Sequence, residues 1–256
     1  MSDLRYPPTA IMVSVLPAYA QKGIFCYIAN KYEADNALRS VKYGEIRFDT
    51  EYTDLTPEQL KVKLLAGDSR LVWDAMKISV VQIAVPRCVY IIDLKAMRAV
   101  PEELARIVRS EDINKAGVGL ANDAKVIWDS LGMEARRFVE VGMMAKFANP
   151  EWYSKEGQNP LSLEQCVHNY LEQILDKTKQ KAFRWGKSLT KEQIIYAGLD
   201  AQASLEVYRV ISRNLRQKQR QLGRAIPEDW YTFNYRVGEP TRLEATVRGE
   251  YLHWSP

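Results

Sequence analysis

The chain has 256 residues, of which 46% are hydrophobic and 27% are charged, and its formal net charge is +4. This length and apolar content are enough to bury one full core, which excludes a disordered chain and predicts a globular protein. No apolar run reaches the length of a membrane span and the first residues lack a signal-peptide pattern, so we expect an intracellular protein, nuclear or cytoplasmic, that does not bind a membrane.

Apolar stretches bounded by turn residues predict five strands, and amphipathic stretches predict five helices. The predicted strands cover residues 23–28, 45–48, 78–85, 89–94 and 116–120, and the predicted helices cover residues 34–40, 101–109, 122–131, 161–175 and 190–215. The early strands follow one another closely, whereas helices separate the later ones. This order predicts an α/β fold with a mixed sheet flanked by helices.

The second predicted strand ends in a pair of acidic residues. Asp49 and Glu51 lie two positions apart, so a strand over residues 44–51 would point both carboxylates to one face. Two buried carboxylates side by side repel, and either a proton or a hard cation such as Mg²⁺ must relieve the repulsion. The motif alone is weak, because such pairs are common on solvated loops.

A third acidic residue follows a glycine turn. Asp123 opens the amphipathic stretch at residues 122–131, directly after Gly117-Val118-Gly119. Capping of the helix N-terminus is an alternative explanation for an acid at this position. A dinucleotide-binding loop is disfavoured, because Asn122 stands where its third glycine should be.

The fifth predicted helix places a phenol and a carboxylate side by side. Thr190 and Gln193 form a capping-box pattern, which marks the start of the helix. Tyr196 and Asp200 are four residues apart and therefore lie one turn from each other, beside a stripe predicted to be buried that begins at Ile195. A boundary tyrosine next to a solvated acid is the simpler alternative for this pair alone.

Taken in order, the three segments resemble the DEDD superfamily of 3′ to 5′ exonucleases, in the subclass that uses tyrosine. The sequence is most similar to the exonuclease domain of the Werner syndrome protein and its relatives, and more distantly to ribonuclease D. The matching stretches are residues 44–51, residues 115–119 through Asp123, and Trp185 and Leu189 through Asp200. Gly198 and Leu199 depart from the family pattern, without touching a ligand. The resemblance implies a ribonuclease H-like fold.

The resemblance also implies a mechanism with two divalent ions, Mg²⁺ or Mn²⁺. Asp49 would bridge the two ions, Glu51 and Asp200 would complete one of them, and Asp123 would hold water bound to the metal. Tyr196 would orient the attacking water; an ordinary phenol stays protonated at neutral pH and is a poor base. The implied activity is hydrolysis of phosphodiester bonds from a free 3′ end of DNA or RNA, with release of nucleoside 5′-monophosphates.

Positive charge is concentrated around the predicted catalytic helix. Residues 175–224 contain 12 Lys and Arg against 4 Asp and Glu, a net charge of +8. Such a cluster is typical of a surface that binds phosphates. The predicted substrate-binding residues are Tyr52, which could stack on a terminal base, and the basic residues Lys177, Lys179, Lys181, Arg184 and Lys187.

These patterns divide the chain into a segment at 1–22, an exonuclease domain at 23–224, and an aromatic extension at 225–256. The extension is predicted to be β-rich and to pack on the domain. A homodimer contact and a dock for a protein partner are alternative roles for it. An alternative function for the whole chain is that of a nucleic-acid-binding or scaffold protein with little catalytic turnover.

Overall fold

A computed structural model of the protein describes residues 16–42, 44–53, 73, 76–149, 160–178, 183–185 and 188–235. Within these ranges the chain forms one mixed sheet with helices packed against it, which confirms the predicted fold class. The strands are β1 (Ile24–Ile28), β2 (Gly44–Tyr52), β3 (Ile78–Val85), β4 (Cys88–Asp93), β5 (Ile113–Gly117), β6 (Ala135–Glu140) and β7 (Thr232–Tyr235).

The strand order in space is β1-β4-β3-β2-β5-β6-β7. The pairs β1–β4, β2–β5 and β5–β6 are parallel, whereas β4–β3, β3–β2 and β6–β7 are antiparallel. Strand β2, which carries the acidic pair, therefore lies in the middle of the sheet.

The helices in the described ranges are α1 (Lys31–Leu38), α2 (Leu94–Met97), α3 (Glu102–Arg109), α4 (Leu120–Leu131), α5 (Val141–Ala148), α6 (Leu163–Leu171) and α7 (Lys191–Leu222), followed by a 3₁₀ turn at Glu228–Trp230. Helix α7 begins with the capping box that Thr190 and Gln193 predict. It packs across five strands of the sheet. None of these helices has both the length and the apolar character of a membrane span.

Two neighbouring elements, β6 and α5, have no counterpart among the predicted ones. The strand carries Arg136 and Arg137, which hide its apolar alternation, and Arg137 adopts a left-handed backbone. Helix α5 is buried on nearly all sides, so it has no polar stripe from which a helical period could be recognised. The two elements are also contiguous in sequence, and no turn residue separates them.

Several predicted boundaries are also wrong. The strand predicted at 116–120 lies at Ile113–Gly117, and the helix predicted from residue 122 begins at Leu120. The helix predicted at 161–175 covers only Leu163–Leu171, because Glu172 takes a left-handed backbone conformation and ends it.

The buried face of helix α7 is wider than the predicted stripe. Ala203 and Val207 of that stripe are buried, whereas Ile195 is exposed, and Tyr196 and Asp200 also face inward. They do so because Ala197, Ala201 and Leu205, on the same side of the helix, pack on one face of β3 and β4. The second buried stripe brings the predicted catalytic side chains of α7 to the sheet.

Gly198 explains why the sequence departs from the family pattern here. A Cβ atom at this position would lie 2.3 Å from the ring of Phe25 on β1. The missing side chain therefore lets α7 approach the edge strand closely. This packing contact outweighs the small loss of helix propensity that glycine brings.

The predicted N-terminal segment and C-terminal extension are described only in part. Tyr19 donates its backbone N–H to Ile174, and Gln202 on α7 hydrogen-bonds the backbone of Lys22 and Gly23. Strand β7 pairs with β6 at the edge of the sheet, and Phe233 is buried there. Residues 236–256 lie outside the described ranges, so the boundaries of the three predicted regions stay predictions.

Candidate active site

A cleft of about 870 Å³ opens where strand β2 ends. Four predicted acids line it, namely Asp49, Glu51, Asp123 and Asp200. The phenol of Tyr196 lies behind this lining, with its ring against Phe183 and Trp185; the ring centroids are 5.3 and 6.2 Å away. The structure thus brings together five residues that are spread over 152 positions of the sequence, from Asp49 to Asp200.

Strand β2 places Asp49 and Glu51 opposite Gln82 and Val80 of β3. Asp49 is partly exposed to the cleft, whereas Glu51 is buried, with Gln82 Nε2 3.5 Å from its Oε1 atom. Burial, and then the nearby Asp49 and Asp200 carboxylates, raise the pKa of Glu51 well above its usual range. The alternation of the strand therefore concentrates negative charge as the sequence predicts.

Asp123 lies in the first turn of α4 but does not cap it. Its Oδ1 atom accepts hydrogen bonds from the backbone N–H of Thr50, at 2.9 Å, and from the Thr50 hydroxyl, at 2.6 Å. These bonds hold the carboxylate against the end of β2. Burial and the adjacent Asp49 raise the pKa of Asp123 to about 8, although the bonds from Thr50 oppose this shift.

Helix α7 supplies the remaining pair. Both the Tyr196 hydroxyl and the Oδ1 atom of Asp200 are buried, and neither makes a hydrogen bond of good geometry within the described residues, although the two side chains interact with each other. Burial raises the pKa of Asp200 to about 6, with Lys177 opposing the shift. Burial and the neighbouring Asp200 also raise the pKa of Tyr196, so this phenol stays protonated. Together with the three other acids of the cleft, this pair forms a polar cluster that the fold leaves incompletely hydrogen-bonded.

The predicted substrate-binding residues have different positions. Tyr52 and Lys177 line the cleft, and the Tyr52 hydroxyl accepts a hydrogen bond from Asn122. Lys177 Nζ lies 3.1 Å from Asp200 Oδ2. Arg184 is exposed and is not among the described residues that line the cleft. Lys179, Lys181 and Lys187 lie outside the described ranges.

The sequence patterns do not single out Arg47, which is fully buried beneath the acids. Its Nη2 atom lies 3.5 Å from Asp49 Oδ2, and its Nη1 donates to the backbone oxygen of Ala116 at 2.7 Å. A Cβ atom at Gly117 would stand 2.2 Å from Nη1, so the guanidinium fits only because this residue is glycine. A single arginine between two apolar residues of β2, with a glycine at the end of the neighbouring strand β5, is the signal that could have revealed this buried charge.

Glu140 is a second buried charge that the sequence patterns miss. Its carboxylate accepts hydrogen bonds from the backbone N–H groups of Gly119, Leu120 and Gly142, at 3.0 to 3.2 Å. It therefore caps α4 from the end of β6, which is the role that Asp123 could have had. Burial raises the pKa of Glu140 to about 7, and these three hydrogen bonds oppose the rise.

The donor set of the cleft suits divalent metal ions in composition. Carboxylate oxygens are the ligands that Mg²⁺ and Mn²⁺ prefer, and the unpartnered Oδ1 atom of Asp200 faces this group of acids. In the described ranges, however, no three acidic, histidine or cysteine side chains are yet arranged to hold an ion. Two of the acids instead face internal cations, Arg47 and Lys177.

Comparison with known proteins agrees with the geometry. Residues 26–216 match the 3′-5′ exonuclease family, which is more than half of the chain. The chain is 28% identical to the bifunctional 3′-5′ exonuclease/ATP-dependent helicase WRN of Mus musculus over 182 residues. This match covers 64% of the chain but only 12% of the mouse protein.

Solved structures share the fold at low sequence identity. The catalytic core of RRP6 from Trypanosoma brucei has a TM-score of 0.61 at 17% identity, with 83% of this chain and 54% of that chain covered. Escherichia coli RNase D has a TM-score of 0.58 at 17% identity, with 89% and 49% covered. Brucella melitensis NrnC with bound Mg²⁺ has a TM-score of 0.53 at 16% identity, with 77% and 83% covered.

The predicted resemblance to the Werner syndrome exonuclease and to ribonuclease D is thus confirmed. The cleft, the sheet order and the family match lead to one conclusion. The chain belongs to the 3′-5′ exonuclease family.

Proposed function

We propose that this chain is a two-metal 3′-5′ exonuclease that hydrolyses phosphodiester bonds of DNA or RNA and releases nucleoside 5′-monophosphates. The observation that carries the proposal is the convergence of four carboxylates on one cleft, where burial and their mutual proximity raise the pKa of Glu51, Asp123 and Asp200. Acids held together in this way cost stability unless cations neutralise them.

Asp49, Glu51, Asp123 and Asp200 would hold two divalent ions, Mg²⁺ or Mn²⁺. When bound, such ions lower the pKa of water and stabilise the attacking and leaving oxygens of an in-line phosphoryl transfer. The protein positions the acids that would hold these ions. Thr50 fixes Asp123 through two hydrogen bonds, and Arg47 holds Asp49 from below.

Tyr196 would donate a hydrogen bond to the attacking water and so orient it toward the phosphorus atom. Its pKa is raised by burial and by Asp200, so it acts as a donor and not as a base. The T-shaped contact with Phe183 and the packing on Trp185 hold the ring in place. Orientation without proton transfer is the role that this environment supports.

Nucleic acid with a free 3′ end is the proposed substrate. Tyr52 would contact the terminal nucleotide at the mouth of the cleft, and Lys177 would contact phosphate. Lys179, Lys181, Arg184 and Lys187 would extend the basic surface. The Mg²⁺ in NrnC, and pGG in a second structure of that protein, support a divalent metal and a nucleic-acid substrate for this fold.

The test is an assay of the purified chain on matched DNA and RNA oligonucleotides labelled at the 5′ end, with Mg²⁺ or Mn²⁺. Stepwise shortening by the wild-type protein, absent from an Asp49→Ala control, is the expected result. The two sugars in parallel show which substrate is preferred. Intact oligonucleotides under both metals would favour a binding or scaffold role, and cleavage of circular single strands would indicate an endonuclease.

A further inference from the structure

The two cations beside the acidic residues are held in very different ways. Arg47 has a side chain that is 1% exposed, lies inside the sheet and is tied to the backbone oxygen of Ala116. Lys177 has a side chain that is 18% exposed, and it lies on the segment after α6 at the wall of the cleft. Arg47 cannot leave without unpacking the sheet. Lys177 can leave by rotating its flexible stem into the cleft.

Lys177 faces one of the acids of the proposed metal site. Its ammonium lies 3.1 Å from Asp200 Oδ2, while the Oδ1 atom of the same carboxylate makes no hydrogen bond of good geometry among the described residues. Asp49 is also close enough to interact electrostatically with this ammonium. The ammonium therefore lies next to two acids that would share a divalent ion under the proposed function.

An ammonium and a divalent ion at the same carboxylate repel each other strongly in a cleft of low polarity. Lys177 has another acid within electrostatic reach, because Glu164 of α6 lines the same cleft and interacts with it. The released side chain would thus find an alternative counter-ion without leaving the cleft.

We propose that Lys177 is a displaceable counter-ion: its ammonium neutralises Asp200 in the metal-free protein and moves away when a divalent cation binds. This inference rests on the proposed function, since it needs the metal site. It couples metal binding to the substrate, because the released ammonium can then contact phosphate.

Calorimetric titration of the full chain with Mn²⁺ and with Mg²⁺ tests the proposal. We expect Lys177→Met to bind the metal about 10-fold more tightly than the wild type, the size of effect that residues next to metal ligands commonly have. Lys125→Met is the matched control, because Lys125 forms an i,i+4 ion pair with Asp129 at 2.7 Å on the surface of α4. This variant should bind the metal as the wild type does.

Thermal unfolding gives a second measurement that does not depend on activity. Lys177→Met should unfold at a lower temperature than the wild type in EDTA and at a similar temperature in saturating Mg²⁺, because the metal replaces the lost ammonium. If the methionine variant does not fold, Lys177→Gln keeps the same expectations with a polar side chain.

The outcomes separate the inference from the proposed function. Metal binding by the wild type with unchanged or weaker binding by Lys177→Met would overturn the inference alone, and would make Lys177 a group that orients Asp200. Failure of both proteins to bind either metal would overturn the inference together with the two-metal function.

Discussion

Two buried carboxylates, Glu140 at the end of β6 and Asp200 on α7, use their oxygens in opposite ways. Glu140 accepts three backbone hydrogen bonds, and both of its oxygens have partners. Asp200 faces Lys177 with one oxygen, and its other oxygen makes no hydrogen bond of good geometry in the described part of the chain. Both are almost fully buried, so burial alone does not distinguish them.

The two acids differ in which groups supply their hydrogen bonds. The amides around Glu140 belong to the starts of α4 and α5, so this acid joins two helices to strand β6. Asp200 and Tyr196 interact with each other, but Oδ1 and the hydroxyl make no hydrogen bond of good geometry and can therefore accept groups that are not part of the fold. A buried acid that the fold saturates stabilises the fold, whereas one that it leaves incomplete is a candidate for function.

The largest expected effect concerns the incomplete acid. Asp200→Asn should lower the rate of oligonucleotide cleavage by about 10³-fold or more, because it removes a proposed metal ligand worth several kcal/mol. Single-turnover rates under saturating Mg²⁺ measure the effect. A variant that keeps wild-type cleavage would remove Asp200 from the proposed site.

The next effect concerns the unpartnered phenol. Tyr196→Phe should slow cleavage by about 10²-fold, because the attacking water loses the donor that orients it. The free energy of unfolding should change by less than about 1 kcal/mol, since the deleted hydroxyl makes no hydrogen bond of good geometry in the described ranges. Cleavage rate and urea unfolding, measured on the same preparation, check both statements. A large loss of stability with no change in rate would indicate a structural role.

Substitution of Glu140, both of whose oxygens have partners, should lower stability and leave cleavage unchanged. Glu140→Gln should lower the free energy of unfolding by about 1–3 kcal/mol, because an NH₂ group would face backbone donors in place of an acceptor. Denaturant unfolding measures it. A stability equal to that of the wild type would show that the amide hydrogen bonds do not need a carboxylate.

A third buried charge lies outside both regions and gives the smallest effect. Lys115 donates to the backbone oxygen of Ser110 at 2.6 Å, and burial lowers its pKa to about 7. Between pH 7 and 10.5 the unfolded chain holds a proton that the folded chain has released, so stability should rise with pH in this window. Lys115→Met should remove this rise.

Urea unfolding at pH 7 and pH 9 measures the Lys115 effect. Lys125→Met serves as the control, because that lysine lies in an exposed surface ion pair of small energetic value. If Lys115→Met and the wild type gain the same stability between the two pH values, another group is responsible for the rise.

The sequence predicts the acids of the cleft better than their surroundings. Asp49 and Glu51, and likewise Tyr196 and Asp200, stand at spacings that a strand or a helix brings to one side, so local periodicity groups each pair, and the family resemblance joins the two pairs with Asp123. Arg47, Glu140 and the approach of Lys177 to Asp200 depend on how strands and loops that are distant in sequence come together. Local sequence periodicity carries no information about such contacts.

The same limit applies to the fold. Helix α7 is predicted because a capping box and an amphipathic pattern mark it, whereas α5 is missed because it is apolar on nearly all sides. The burial of Tyr196 and Asp200 on α7 follows from small residues, Ala197 and Ala201, that let the helix lie on the sheet. Their effect depends on packing partners that the helix pattern does not specify.

The most direct test makes the same two measurements on variants of the two acids. The free energy of unfolding and the cleavage rate should be measured for both Asp200→Asn and Glu140→Gln, at a temperature where both are folded. Asp200→Asn should lie within about 1 kcal/mol of wild-type stability but be inactive, since asparagine keeps the size of the side chain and an acceptor for the Lys177 ammonium. Glu140→Gln should be less stable but retain cleavage. An active Asp200→Asn, or a stable but inactive Glu140→Gln, would contradict the account.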